Sequence, residues 1–178
     1  VIFYGYIMNT EQTEKAKTFA STKFKEVNIT NHFLEVFTIL KEDFDVADEN
    51  VLTAGLLHDV LEDTNTTHEE LVSTFSKEIA DLVEEVSHPK NYNSAQKVQY
   101  YEKIKTISFG AKLIKMADFA SHLKNFIEIY KRGEQGLHPK FVNNDKYIAS
   151  IREFLATCED STGKDALHKL TEDLEKLL

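Results

Sequence analysis

Ala54-Gly55-Leu56-Leu57-His58-Asp59-Val60-Leu61-Glu62-Asp63-Thr64 is an apolar, helix-forming stretch interrupted by four titratable residues. Residues four apart share a helix face, so His58 projects with Glu62 and Asp59 with Asp63. The two rows lie about 100° apart, and all four side chains can line one pocket. Leu56, Leu57, Val60 and Leu61 bury the flanks. Three carboxylates and an imidazole are expensive to bury unpaired, and a divalent cation is one way to offset that cost. The plain alternative is a solvated helix end, with Glu62 and Asp63 as surface charge. A bare His-Asp pair does not decide between them.

On either side the chain reads as helical. Only two prolines and six glycines punctuate 178 residues, and long stretches without breakers favour helices. Leu34, Val36, Phe37 and Leu40 make an apolar stripe after His32, and Val51 to Leu61 make a second. Thr66 or Thr67, followed by Glu69 and Glu70, predicts a helix start, and Ser76 a second start within the apolar series Leu71 to Val86. Further helices are expected over Ala95–Ile107, Ala111–Tyr130, Asn143–Thr157 and Gly163–Leu178, with loops at His88–Asn93 and Gly133–Pro139. Strand signals are weak throughout. The expectation is an all-α helical bundle. It has one domain over 9–178 and an extension over 1–8, where Met8 is an alternative natural start.

Composition narrows the function. No apolar run approaches the roughly 18 residues of a spanning helix. A net charge of −9 argues against general binding to nucleic acid, though a local lysine cluster or a metal can still receive a small phosphorylated ligand. One cysteine, Cys158, excludes an internal disulfide framework and fits a reducing cytoplasm. The composition does not fix an oligomeric state.

Two distant residues add to the central stretch. His32 precedes an apolar helix across the polar approach Asn28–Asn31, and Asp118 sits within the apolar run Leu113-Ile114-Lys115-Met116-Ala117. Taken singly, the first is as well a helix cap and the second a solvent-facing acid. Together, two imidazoles and two carboxylates suit manganese, iron or magnesium with water in open positions. The absence of cysteine ligands points away from structural zinc.

In this order the motifs resemble those of the HD hydrolase domain of the RelA/SpoT family, in particular its small stand-alone alarmone hydrolases. Asn31-His32 resembles the family's Asn-His-Pro, and Ala54 to Thr64 its Ala-x-Leu-Leu-His-Asp-x-x-Glu-Asp-Thr. Leu82 to Val86 and Gly110 to Asp118 resemble its later helices. The resemblance covers roughly Ala16 to Leu155. It implies that His32, His58, Asp59 and Asp118 hold one metal, usually manganese, and that Glu62 and Asp63 activate water and handle protons. The implied reaction is removal of the 3′-pyrophosphate from guanosine tetra- or pentaphosphate, the alarmones of the stringent response. The small branch is also linked to removing the 2′-phosphate of NADPH. A non-catalytic nucleotide-binding module on the same fold is the reading from a different class.

The departures concern substrate. Lys25 keeps a lysine role, whereas Phe24 stands at the approximate place of the family's arginine, where aromatic stacking would replace cation stacking on a base. Phe33 replaces the proline after the first His. His122 stands where an Asn is expected, four residues after Asp118, and either contacts nucleotide or is a pH-sensitive surface residue. Asn125 competes for the missing Asn role. Tyr147 resembles a substrate-contacting Tyr, with packing as its alternative. One of Lys112 and Lys115 is expected to face the site, and His68, His88, His138 and His168 to lie on surface or loops.

Overall fold

The computed structural model describes residues 10–27, 31–91, 93–134 and 144–178. The extension over 1–8, most of the approach to His32, and His138 lie outside the described residues.

Helix α1 (Glu11–Glu26) leads to α2 (His32–Thr38), which runs into one π-helical turn, Ile39–Asp43. Then follow α3 (Glu49–Leu57), α4 (Val60–Asp63), α5 (His68–Thr74), α6 (Lys77–Val86), α7 (Ser94–Ile104), α8 (Phe109–Lys131), α9 (Asn144–Leu155) and α10 (Thr162–Glu175). No strand occurs among the described residues, as expected from the sequence.

Side-chain caps set most helix starts. Asp48, Thr67, Ser76, Asn93 and Ser108 each accept from a backbone N–H of the first turn, and Asn93 with Gln96 forms a reciprocal capping box. The expected starts at Thr67 and Ser76 are therefore real, and each satisfies an amide that would otherwise lack a partner.

The centre of the bundle is α3 packed among α1, α2, α6 and α8, while α10 covers another side of α8. Every residue from Val51 to Leu57 is buried, so α3 is enclosed on all sides. Gly55 permits this: a Cβ there would lie 2.4 Å from Leu40 Cδ1 in the π turn, and Leu40 is itself fully buried. The close approach brings α2, which carries His32, against α3, which leads into His58.

One expectation needs correction. His58 to Asp63 do not lie on one continuous helix. Helix α3 stops at Leu57, Asp59 adopts φ −97° and ψ −3°, and α4 restarts at Val60. His58 Nδ1 lies 2.9 Å from the Gly55 carbonyl, the group the Asp59 N–H would use in an unbroken helix. The Asp59 carbonyl then accepts from both Glu62 N (3.1 Å) and Asp63 N (3.0 Å), which starts the next turn. The joint breaks the four-residue spacing, so Asp59 turns toward His58 while Asp63 is exposed.

Candidate active site

Three elements meet at the joint. From α2, His32 Nε2 lies 3.0 Å from Asp118 Oδ1 of α8 and 4.0 Å from Asp59 Oδ2. His58 Nε2 lies 3.1 Å from Asp59 Oδ2. Despite that proximity the atom is out of line for a hydrogen bond, and it is a buried side-chain nitrogen with no hydrogen-bond partner. The other ring nitrogen is committed to the Gly55 carbonyl, which accepts and so fixes a proton on Nδ1. In the neutral ring the Nε2 lone pair is therefore free beside the Asp59 carboxylate, the tautomer a metal needs.

A similar arrangement orients His32. Ser121 Oγ lies 2.8 Å from Glu35 Oε2 and 3.2 Å from His32 Nδ1. A carboxylate only accepts, so the single hydroxyl hydrogen goes to Glu35 and the hydroxyl oxygen accepts from His32 Nδ1. His32 Nε2 is hydrogen-bonded to Asp118 Oδ1 at 3.0 Å, where the carboxylate can only accept, so a cation bound there would take the place of that proton. Such outer partners orient metal-binding histidines.

The charges are strongly coupled. Burial opposes ionisation of His58, but the Asp59 carboxylate, with Asp118 behind it, outweighs burial and raises the imidazole to about 9. Burial also opposes ionisation of Asp118, yet Lys115, followed by His122 and His32, holds its carboxyl well below the usual range. Lys115 Nζ lies 2.5 Å from Asp118 Oδ2 and sits over the rings of Tyr100 and Phe119. Of the two lysines, Lys115 thus faces the site. Lys112 instead donates to the Thr157 carbonyl.

Glu62 is held on the other side of Asp59. Its Oε1 accepts from the His88 backbone N–H at 3.0 Å, and His88 Nε2 lies 2.6 Å from its Oε2. Burial and the Asp59 charge push its carboxyl up to about 8. The same two causes raise Asp63. His88 lies in the loop expected from its sequence, and it also holds Glu62. No local pattern announces it, because its partner is 26 residues away. Ser121 and Glu35 escaped notice for the same reason: their link crosses between α8 and α2.

An open cleft of about 1590 Å³ reaches the cluster at His32 and His122. Lys97, Lys124, Lys146 and Arg132 line it. Tyr147 also lines it while making edge contacts with Phe119 and Phe126, so it is both a packing residue and a cleft residue. His122 is 45% exposed at its side chain, stacks on His32 with centroids 4.8 Å apart, and places Nε2 3.2 Å from Asp118 Oδ1. Asn125 faces the same cleft.

Two expectations fare differently. Phe24 is buried against Phe33, with centroids 5.3 Å apart, so it packs the core and offers no face to a base. Lys25 is exposed on α1 beside a separate shallow depression, outside the cleft.

A helical bundle whose inner helices bring two imidazoles and two carboxylates together in overlapping donor groups, with the His-Asp pair at a helix joint, has the features of an HD domain. Residues 12–118 match the HD-domain family, and the chain belongs to that family. The guanosine-3′,5′-bis(diphosphate) 3′-pyrophosphohydrolase MESH1 of Xenopus tropicalis is 35% identical over 149 residues, covering 78% of this chain and 83% of that protein. The Drosophila melanogaster MESH1 is 36% identical over 102 residues, 57% of each chain. This chain's match to it therefore spans little more than half of that relative's length. A solved structure of a metazoan orthologue of SpoT, described as hydrolysing ppGpp, superposes with a TM-score of 0.76 at 25% identity, covering 96% of this chain and 99% of that one. No helix among the described residues is long and apolar enough to cross a membrane.

Proposed function

We propose that this protein is a manganese-dependent hydrolase that removes the 3′-pyrophosphate from guanosine tetra- or pentaphosphate. The observation that carries the reading is the buried, partnerless His58 Nε2 beside Asp59, with Glu62 held nearby by His88. An orphaned buried nitrogen among carboxylates fits a cation and makes a poor structural element. His32, His58, Asp59 and Asp118 would hold the ion. When bound, it neutralises phosphate charge and lowers the pKa of water. The MESH1 relatives support the choice of substrate.

In the reaction, water attacks phosphorus, the bond between that phosphorus and the ribose 3′ oxygen breaks, and the 3′ oxygen takes up a proton as pyrophosphate leaves. Glu62 is the group to accept the water proton. Its raised carboxyl is basic enough for the task, and a nearby cation favours its ionised form. His88 keeps that carboxylate aimed. Asp63 is exposed beside the joint between α3 and α4, and in this reading it orients water or passes the proton onward. Lys97, Lys124, Lys146 and Arg132 offer cations to an anionic nucleotide in a cleft whose lining also carries Glu35, Glu102, Glu128 and Glu153. Tyr147 offers an aromatic edge there, and Lys115 acts through Asp118.

A second reading keeps the chemistry and changes the substrate to NADPH, losing its 2′-phosphate. The burial of Phe24 favours it, since no stacking group for guanine stands at that place. The test is pyrophosphate release from guanosine tetraphosphate by manganese-loaded protein, beside phosphate release from NADPH. Asp59→Ala and Glu62→Ala are each expected to reduce the rate by at least about a hundredfold. Phosphate release from NADPH alone would replace the substrate, and no turnover of either by metal-loaded protein would overturn the assignment.

A further inference from the structure

We propose that His122 is a fifth protein ligand, joining His32, His58, Asp59 and Asp118 on one cation. The proposal rests on the metal-hydrolase reading above and concerns what this chain adds to it.

Of the three donor triads among the described residues, two meet at this site, His32–His58–Asp59 and His32–Asp118–His122, each with its donor atoms within 4.8 Å of one another; the third, His68–Asp81–Glu84, shares no residue with them. Two triads suggest two ions until the shared member is considered. His32 Nδ1 is engaged by Ser121, which leaves only Nε2 for a metal. An imidazole nitrogen carries one lone pair and serves one ion. Triads that both depend on it therefore converge on a single cation.

The spacings agree. Donors at right angles on an ion with octahedral bonds near 2.1 Å lie about 3.0 Å apart. His58 Nε2 to Asp59 Oδ2 is 3.1 Å, His32 Nε2 to Asp118 Oδ1 is 3.0 Å, and His122 Nε2 to the same Asp118 oxygen is 3.2 Å. The His32 and His122 rings are tilted by only 27°, so two nearly parallel imidazoles flank one carboxylate oxygen. His122 reaches this place from a partly exposed position four residues after Asp118, without displacing any core residue.

A third imidazole changes the site's chemistry. It moves the donor set toward nitrogen, which favours later transition ions over magnesium. It also occupies a position that solvent would otherwise hold. An Asn at 122 would free that position.

The test uses the full chain, stripped by chelation and titrated with manganese, as wild type, His122→Asn and His122→Ala. The expected result is one ion per chain in the wild type. Both variants should bind manganese at least about tenfold more weakly, a loss seen even for residues that only orient a ligand. Water-proton relaxation of the bound manganese should report one more exchangeable water in each variant. Circular dichroism of the metal-free proteins checks that the fold is retained, which the exposure of His122 leads us to expect. Unchanged affinity and hydration in both variants would make His122 a helix-face partner of Asp118 and overturn the proposal while leaving the hydrolase reading intact. Two ions per wild-type chain would also overturn it. A wild type that binds no divalent cation would overturn both readings.

Discussion

Ser121 has one hydroxyl hydrogen, and its destination decides how His32 presents Nε2. Because Glu35 takes that hydrogen, the hydroxyl oxygen is left to receive the proton on His32 Nδ1. Ser121→Ala removes the receiver and lets the ring rotate or change tautomer. Its cost should appear in metal binding, since the serine is small and lies beside, not within, the donor set. Manganese affinity is expected to fall about 10- to 100-fold, as for other outer partners of ligating histidines, with little change in the metal-free melting temperature. Isothermal titration beside a thermal melt checks both halves. An unchanged affinity would mean that ring packing alone orients His32.

The joint between α3 and α4 works only if the segment after α6 holds Glu62 in place, and α7 braces that segment. Tyr100 of α7 donates to the Val86 carbonyl at 2.7 Å and packs its ring edge against His88 at 5.4 Å. Tyr100→Phe keeps the ring and deletes the donor. A buried carbonyl losing its partner costs about 1–3 kcal/mol, readable as a lower urea midpoint. Tyr100 also bonds Lys115, which pairs with Asp118, so its hydroxyl touches both sides of the cluster. Turnover and manganese affinity should both fall, and an unchanged affinity would confine the role of Tyr100 to the Glu62 side. Such links between elements bound what the sequence could disclose. Helix starts were legible because Thr67, Ser76 and the acids after them cap amides a few residues away. Asp59 and Asp118 were legible because a carboxylate in an apolar run needs a partner. The joint was not legible, since it depends on the His58 ring competing for the Gly55 carbonyl. Nor were His88, Glu35 and Ser121, whose partners sit on other elements. Phe24 was misplaced by position alone; its buried contact with Phe33 depends on how α1 lies on α2.

Across the whole molecule, the cluster ties stability to pH, with opposite demands from proton and metal. His58 is raised from 6.5 to about 9, so its stabilising proton is fully held below pH 6.5 and lost as pH rises through 9. Glu62 is raised from 4.5 to about 8, and it too favours the folded state at low pH and loses that contribution as pH climbs through 8. The lowered carboxyls of Asp59 and Asp118 add stability that is lost only as pH falls below their ordinary 3.8, outside this window. Metal-free protein should therefore weaken from pH 4.5, where Glu62 begins to count, up to pH 9, with about 3 kcal/mol lost above pH 6.5 from His58 alone. In a chain of this size that is roughly 6–12 °C in melting temperature. A cation reverses the trend, because it needs His58 neutral and gains affinity as the competing proton leaves. The melting-temperature increase on adding saturating manganese should accordingly grow from pH 6.5 to 9. Paired thermal melts with chelator and with manganese across that range test both slopes together. A metal-free curve that is flat or rises with pH would show that His58 is neutral in the folded protein without metal, and that no proton stands where the cation binds.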